Sequence, residues 1–195
     1  MHRAILVLLL ALGGACRLLP IPRAEPTRFY TLALPALPRA GVGSLALGLG
    51  PITFPGYLDQ PQVVTRLDEE RVVFAPNDRW AGSLRVQFER ALTLRLMEAL
   101  DTDDVAAFPW WPGRPIDVSV QLNVLAFEAD ASGQARLDAL WKVKDGKRDQ
   151  ILESGQMSLR EPIEAGGKEA AVVALDRALD QLAQAIAADV RRVRR

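Results

Sequence analysis

The sequence predicts an α+β domain: a mainly antiparallel sheet of about seven strands with two long amphipathic helices packed on one face. Three observations predict it. Leu84, Phe88, Leu92, Leu96 and Leu100 recur every fourth residue, and Val172, Leu175, Leu179, Leu182, Ile186 and Val190 make a second helical stripe. Elsewhere, short runs alternate apolar and polar residues with the period of two that marks a half-buried strand. Between those runs stand Pro, Gly and acidic turn residues, placed as hairpin connections would need them.

The chain has 195 residues and is 49% hydrophobic, which suits one domain with a sizeable core and an N-terminal extension. Lys plus Arg equals Asp plus Glu, 24 each, so no overall field draws in nucleic acid. His2 is the only histidine and Cys16 the only cysteine, so the body of the protein has neither. That excludes a Cys/His zinc site, a Ser-His-Asp triad, a Cys-His pair and an internal disulfide. Gly41-Val42-Gly43 and Gly48-Leu49-Gly50 flank a strand instead of leading from a strand into a helix, so they do not form a nucleotide loop. Neither a cofactor nor a metal is expected.

In chain order, His2-Arg3 gives a positive start, Ala4 to Leu12 is apolar, and Gly13-Gly14-Ala15 are small residues just before Cys16. This reads as a signal peptide over residues 1–15. Its apolar run falls far short of the roughly 20 residues that span a bilayer. Residues 16–27, with Pro20, Pro22 and Pro26, read as an extended tether, and residues 28–195 as the domain. Arg28 to Leu34 is a first strand ended by Pro35, and Ser44 to Leu49 a second with Leu45, Leu47 and Leu49 on one face. Pro51, Pro55 and Pro61 fix φ and stop that strand near Ile52, leaving Tyr57-Leu58-Asp59 room for one helical turn. Gln62 to Leu67 and Arg71 to Phe74 form a hairpin across Asp68-Glu69-Glu70.

Asp78 is the expected N-cap of the first helix, with Arg85, Glu89, Arg90, Arg95 and Glu98 on its wet side. Asp101-Thr102-Asp103-Asp104 stops it without the Gly and terminal Glu of a calcium loop, and Val105 to Phe108 is a short strand. Trp110 and Trp111, in a Pro-bounded loop, cannot easily both point inward; either one is an exposed contact or both cap the core. A three-strand meander follows: Ile116 to Val124, Ala135 to Val143 and Ile151 to Leu159, with Glu128 to Gly133 as its first turn. The last helix, Lys168 to Val190, places Asp176, Arg177, Asp180, Gln184 and Asp189 off its stripe, and the arginines from Arg191 onward suit its C-terminal dipole.

Gly50-Pro51, Pro55, Tyr57-Leu58-Asp59, Pro61, Val64 and Arg66, followed by Trp80-Ala81 opening a helix, resemble the auxiliary lipoproteins of ABC-type lipid transport systems, the PqiC type. The resemblance extends from Cys16 to the last helix. Small residues leading to Cys16 look like a lipobox, with Gly13 where Leu is usual. The family then implies acylation of Cys16, and Arg17 after it implies sorting to the periplasmic face of the outer membrane. Two or three acyl chains, at about 0.8 kcal/mol per buried methylene, hold a protein on a membrane stably. The family also implies a non-enzymatic subunit, an MCE-domain protein as partner, an ABC permease and ATPase, and phospholipid as cargo, with a homo-oligomer left open. The candidate docking surface is Tyr57, Leu58, Asp59 and Gln60 together with Trp110 and Trp111. Two other readings stand beside it. One is a scaffolding lipoprotein of another envelope complex. The other is a carboxylate-dependent hydrolase, which would need two converging carboxylates in a pocket.

Overall fold

Strand β6 (Val118–Asp130) is the spine of the sheet, because its two edges are used differently. In the computed structural model, which describes residues 25–37 and 44–194, one edge of β6 pairs antiparallel with β7 (Gln134–Asp145) over nearly its whole length. Its other edge is shared. The first half pairs with β2 (Leu47–Thr53) and the second with β3 (Gln62–Arg66), both parallel. The sheet therefore forks: β2 carries β5 (Val105–Ala107), whereas β3 carries β4 (Val72–Trp80) and then β1 (Arg28–Tyr30). On the far side β7 carries β8 (Ile151–Pro162).

The meander β6 to β8 and the hairpin β3–β4 are antiparallel as expected, but β1–β4, β2–β5, β2–β6 and β3–β6 are parallel. The sheet is mixed and has eight strands, where a mainly antiparallel one of about seven was expected. Alternation along a strand reports which face is buried and is blind to the direction of the neighbouring strand.

Two helices, α1 (Leu84–Leu100) and α2 (Gly167–Val193), lie against each other and cover one face. Their buried stripes, Leu84, Phe88, Leu92 and Leu96 from α1 and Val172 to Val190 from α2, meet Val118, Val120, Leu122 and Val124 of β6 and Leu137, Ala139, Trp141 and Val143 of β7. These are the residues the periodicity assigned to the core. Among the described residues no helix is long and apolar enough to cross a membrane.

Four charged residues depart from the sequence reading. Asp78 is not a helix cap. It is buried in β4, accepting from Arg28 Nε at 2.8 Å and Tyr30 Oη at 2.9 Å. Strand β4 runs on through Pro76 because the β3–β4 register shifts between Gln62 and Val64, so Pro76 sits where no ladder donor is required. Trp80 closes that strand, and the helix begins only at Leu84, with Ser83 Oγ accepting from the Val86 amide.

Arg95, placed on the wet side of α1 by its type, is only 7% exposed. It faces α2, where it pairs with Asp180 and Asp176 and donates from Nη1 to the Ala33 carbonyl at 3.0 Å. The chain after β1 thus leaves the sheet early and crosses the helix seam. Both Asp176 oxygens accept from the Ala33 amide, and Leu32 is buried. Asp189, also assigned to the wet side of α2, turns inward and accepts from Trp141 Nε1 at 2.9 Å. Glu128, read as the start of a turn, is a fully buried residue of β6. Residues 1–24, including the signal segment and Cys16, lie outside the described residues.

Candidate functional site

With the helices on one side, no helix or strand among the described residues covers the middle of the opposite face of the sheet. The register aligns Gln121, Lys142 and Ser154 in one row across β6, β7 and β8, and Asn123, Leu140 and Gln156 in the next. With Pro51 and Thr53 of β2 they line a shallow trough of about 540 Å³. A register shift in β6 between Val124 and Ala126 inserts Leu125, whose side chain is exposed, as is that of Leu140. The two stretches that the sequence singled out lie at opposite ends of this face.

At one end, a single 3-10 turn, Gly56–Leu58, follows β2. Leu58 inserts into the core, and Phe54 meets Phe88 edge-on with ring centroids 5.0 Å apart. Tyr57 Oη donates to Glu128 Oε2 at 2.8 Å, and Arg66 Nε donates to Glu128 Oε1 at 2.7 Å. The Arg66 guanidinium also stands 5.5 Å from the centre of the Tyr57 ring. Two residues of the Gly50-to-Arg66 pattern therefore converge on one carboxylate whose side chain is 0% exposed. Of the candidate residues Tyr57 to Gln60, only Asp59 and Gln60 are exposed, and Asp59 pairs loosely with Arg85 at 3.4 Å.

Burial first, and then the neighbouring Glu128, push the Tyr57 phenol up to about 12. Tyr30 is also raised, by burial first and then by its bond to Asp78. These are the only two tyrosines. An ultraviolet titration of the native protein should therefore show both phenols ionising above the ordinary value of 10.0, with Tyr57 ionising only toward about 12. Because both phenols hold their protons more tightly folded than unfolded, the stability this lends is whole below pH 10.0 and is lost as the pH rises through their folded values, that of Tyr57 toward about 12. A half-complete tyrosinate signal at pH 10.0 without unfolding would show that the phenols are not held.

At the other end, Phe108, Trp110 and Trp111 follow β5. Trp110 folds back over Gly48, where an added Cβ would stand 3.0 Å from its ring and 3.2 Å from Ile116. Phe108 meets it edge-on at 5.3 Å. Trp111 is 80% exposed and Phe108 about half exposed. One indole turns in and the other out. Gly48 stands beside Ser119 of β6, whereas Tyr57 reaches Glu128 on the same strand, so the two stretches are separated by roughly 30 Å at about 3.3 Å per residue. The structure does not bring them into one surface.

Glu128 was missed because nothing local marks an acidic residue near a strand end as buried; the nearest signal was the unexplained basic Arg66 inside an apolar strand. Among the described residues no group of His, Cys, Asp or Glu could hold a metal ion.

The family model described as ABC-type transport auxiliary lipoprotein component matches residues 30–187. No curated protein matches the chain. Among solved structures, an uncharacterized protein superposes with a TM-score of 0.71 at 20% identity, covering 85% of this chain and 99% of its own. Protein XCC0632 from Xanthomonas campestris gives 0.70 at 16% identity, covering 83% and 93%. Both share the fold.

Proposed function

The chain belongs to the ABC-type transport auxiliary lipoprotein component family, and from that premise we propose that it is the lipid-anchored subunit of an MCE/ABC-type system moving phospholipid between the envelope membranes. Residues 1–15 are the export signal, Cys16 carries the acyl chains at the periplasmic face of the outer membrane, residues 16–27 are the tether, and residues 28–195 are the working domain. The observation that carries this reading is the family match, which spans most of the domain. The family is one of transport auxiliary components and not of enzymes, so the domain works by contact with an MCE-domain partner. An exposed indole at Trp111 supports a contact role, since aromatic side chains dominate the centres of protein interfaces.

Purification of the native protein from detergent-solubilised envelope tests the proposal. An MCE-domain protein is expected to come with it. A different stable partner in its place would make the protein a scaffolding subunit of another machine. Mass spectrometry of the same preparation should find an acylated cysteine at position 16 as the first residue.

A further inference from the structure

The two ends of the open face differ in their relation to the anchor, and this bears on what Trp111 touches. Arg28 pairs with Asp78, and the next residue of β4, Arg79, pairs with Gln62 at the start of β3. Strand β3 runs parallel to β6 with Thr65 beside Ala129, so Arg28 lies level with the C-terminal half of β6. The chain ahead of Arg28 therefore leaves the domain at the Tyr57–Glu128 end. The Trp loop lies at the other end, where Gly48 stands beside Ser119, roughly 25 Å away along the strand direction.

Twelve residues separate Cys16 from Arg28. As polyproline II they span at most about 37 Å, and as a flexible coil about 19 Å. For Trp111 to touch the membrane that holds Cys16, the exit point would have to stand about 25 Å off that membrane, with the tether drawn beyond its coil length to about two-thirds of its full reach alongside the domain. Nothing of the kind is needed for the exit end itself. That end carries side chains suited to a headgroup layer: Phe29 is 65% exposed, beside the half-exposed Arg28 that pairs with Asp78, and its cross-strand neighbour is Arg79, partly buried and without an ion-pair partner among the described residues.

We infer that the domain stands with its β1 end toward the anchoring membrane, so that Phe108 and Trp111 face away from it and dock a protein. The exposed indole of Trp111, adjacent in the chain to the Trp110 that Gly48 and Phe108 hold in place, enters an apolar pocket on that partner. This rests on the proposed acylation of Cys16 and names the part of the domain that meets the transport partner.

Photo-crosslinking in cells, using the full-length acylated protein, tests it. A benzoylphenylalanine is placed at position 111 or at position 29; both native side chains are largely exposed, so the fold tolerates the change. Position 111 should capture the MCE-domain protein, and position 29 should capture phospholipid and no protein. In pull-downs, Trp111→Ala should weaken capture of that protein about tenfold. A phospholipid adduct at 111, no adduct there, or the same protein at both positions would overturn the inference. An unacylated Cys16 in the same samples would instead remove the reading on which it rests.

Discussion

Replacing Glu128 with alanine is expected to destabilise the domain by about 3–5 kcal/mol, read from denaturant unfolding. The Glu128 side chain is 0% exposed, and that of Arg66, its ion-pair partner, is 17% exposed. Truncation leaves the Tyr57 hydroxyl without its acceptor and the largely buried Arg66 guanidinium without its counter-charge, holding only the Asp68 and Glu69 carbonyls, and an unpaired buried charge weighs far more than the net worth of the pair. Removing both charges with Glu128→Met and Arg66→Met should therefore be much closer to neutral than the single change. The outcome also bears on Tyr57. If Glu128→Ala costs under about 1 kcal/mol, the three residues are not a structural pin, and Tyr57 regains its place as a docking residue.

The second large effect is expected at Gly155. Trp141 of β7 lies opposite Gly155 of β8, and its indole fills the space a side chain there would take. A Cβ at position 155 would stand 2.1 Å from Trp141 Cε2 and 2.2 Å from Cζ2. The ring cannot simply swing aside, because it is buried in the core and its Nε1 donates to Asp189 at 2.9 Å. Gly155→Ala must move the indole and break that bond, leaving the Asp189 carboxylate with Arg192 as its remaining partner. About 3 kcal/mol or more is expected from thermal or denaturant unfolding, with a shifted tryptophan emission. Gly82→Ala is the control: nothing lies within 4 Å of its added Cβ, and the change should be nearly silent. Equal stabilities for the two variants would mean that Trp141 does not occupy this space.

What could be read from the sequence was local. The stripes of α1 and α2, the meander β6 to β8 and the hairpin β3–β4 are each written in the spacing of neighbouring residues, and each is found. Asp78, Arg95, Glu128 and Asp189 were all assigned to solvent, turns or caps, yet each is buried against a partner at least 48 positions away in the chain. A charged side chain looks solvated to any local rule, and only the tertiary neighbour that neutralises it shows otherwise. The parallel pairings of β6 with β2 and β3 are hidden for the same reason. At the candidate site, Pro51, Pro55 and Pro61 did mark a constrained backbone, but that constraint sets Tyr57 on Glu128 and Leu58 in the core. The paired indoles were legible as an anomaly because adjacent residues rarely share one direction.

Tension applied through the residues ahead of Arg28 would fall first on the three-residue strand β1. Its side-chain fastening is Asp78, gripped by Arg28 and Tyr30. Behind it, the Ala33 backbone is clasped by Asp176 and Arg95, which belong to both helices. A pull would thus have to draw Tyr30 and then Leu32 out of the core before it met the clasp tied to the helices, so the hydrophobic interior itself carries load from the first residues of the domain.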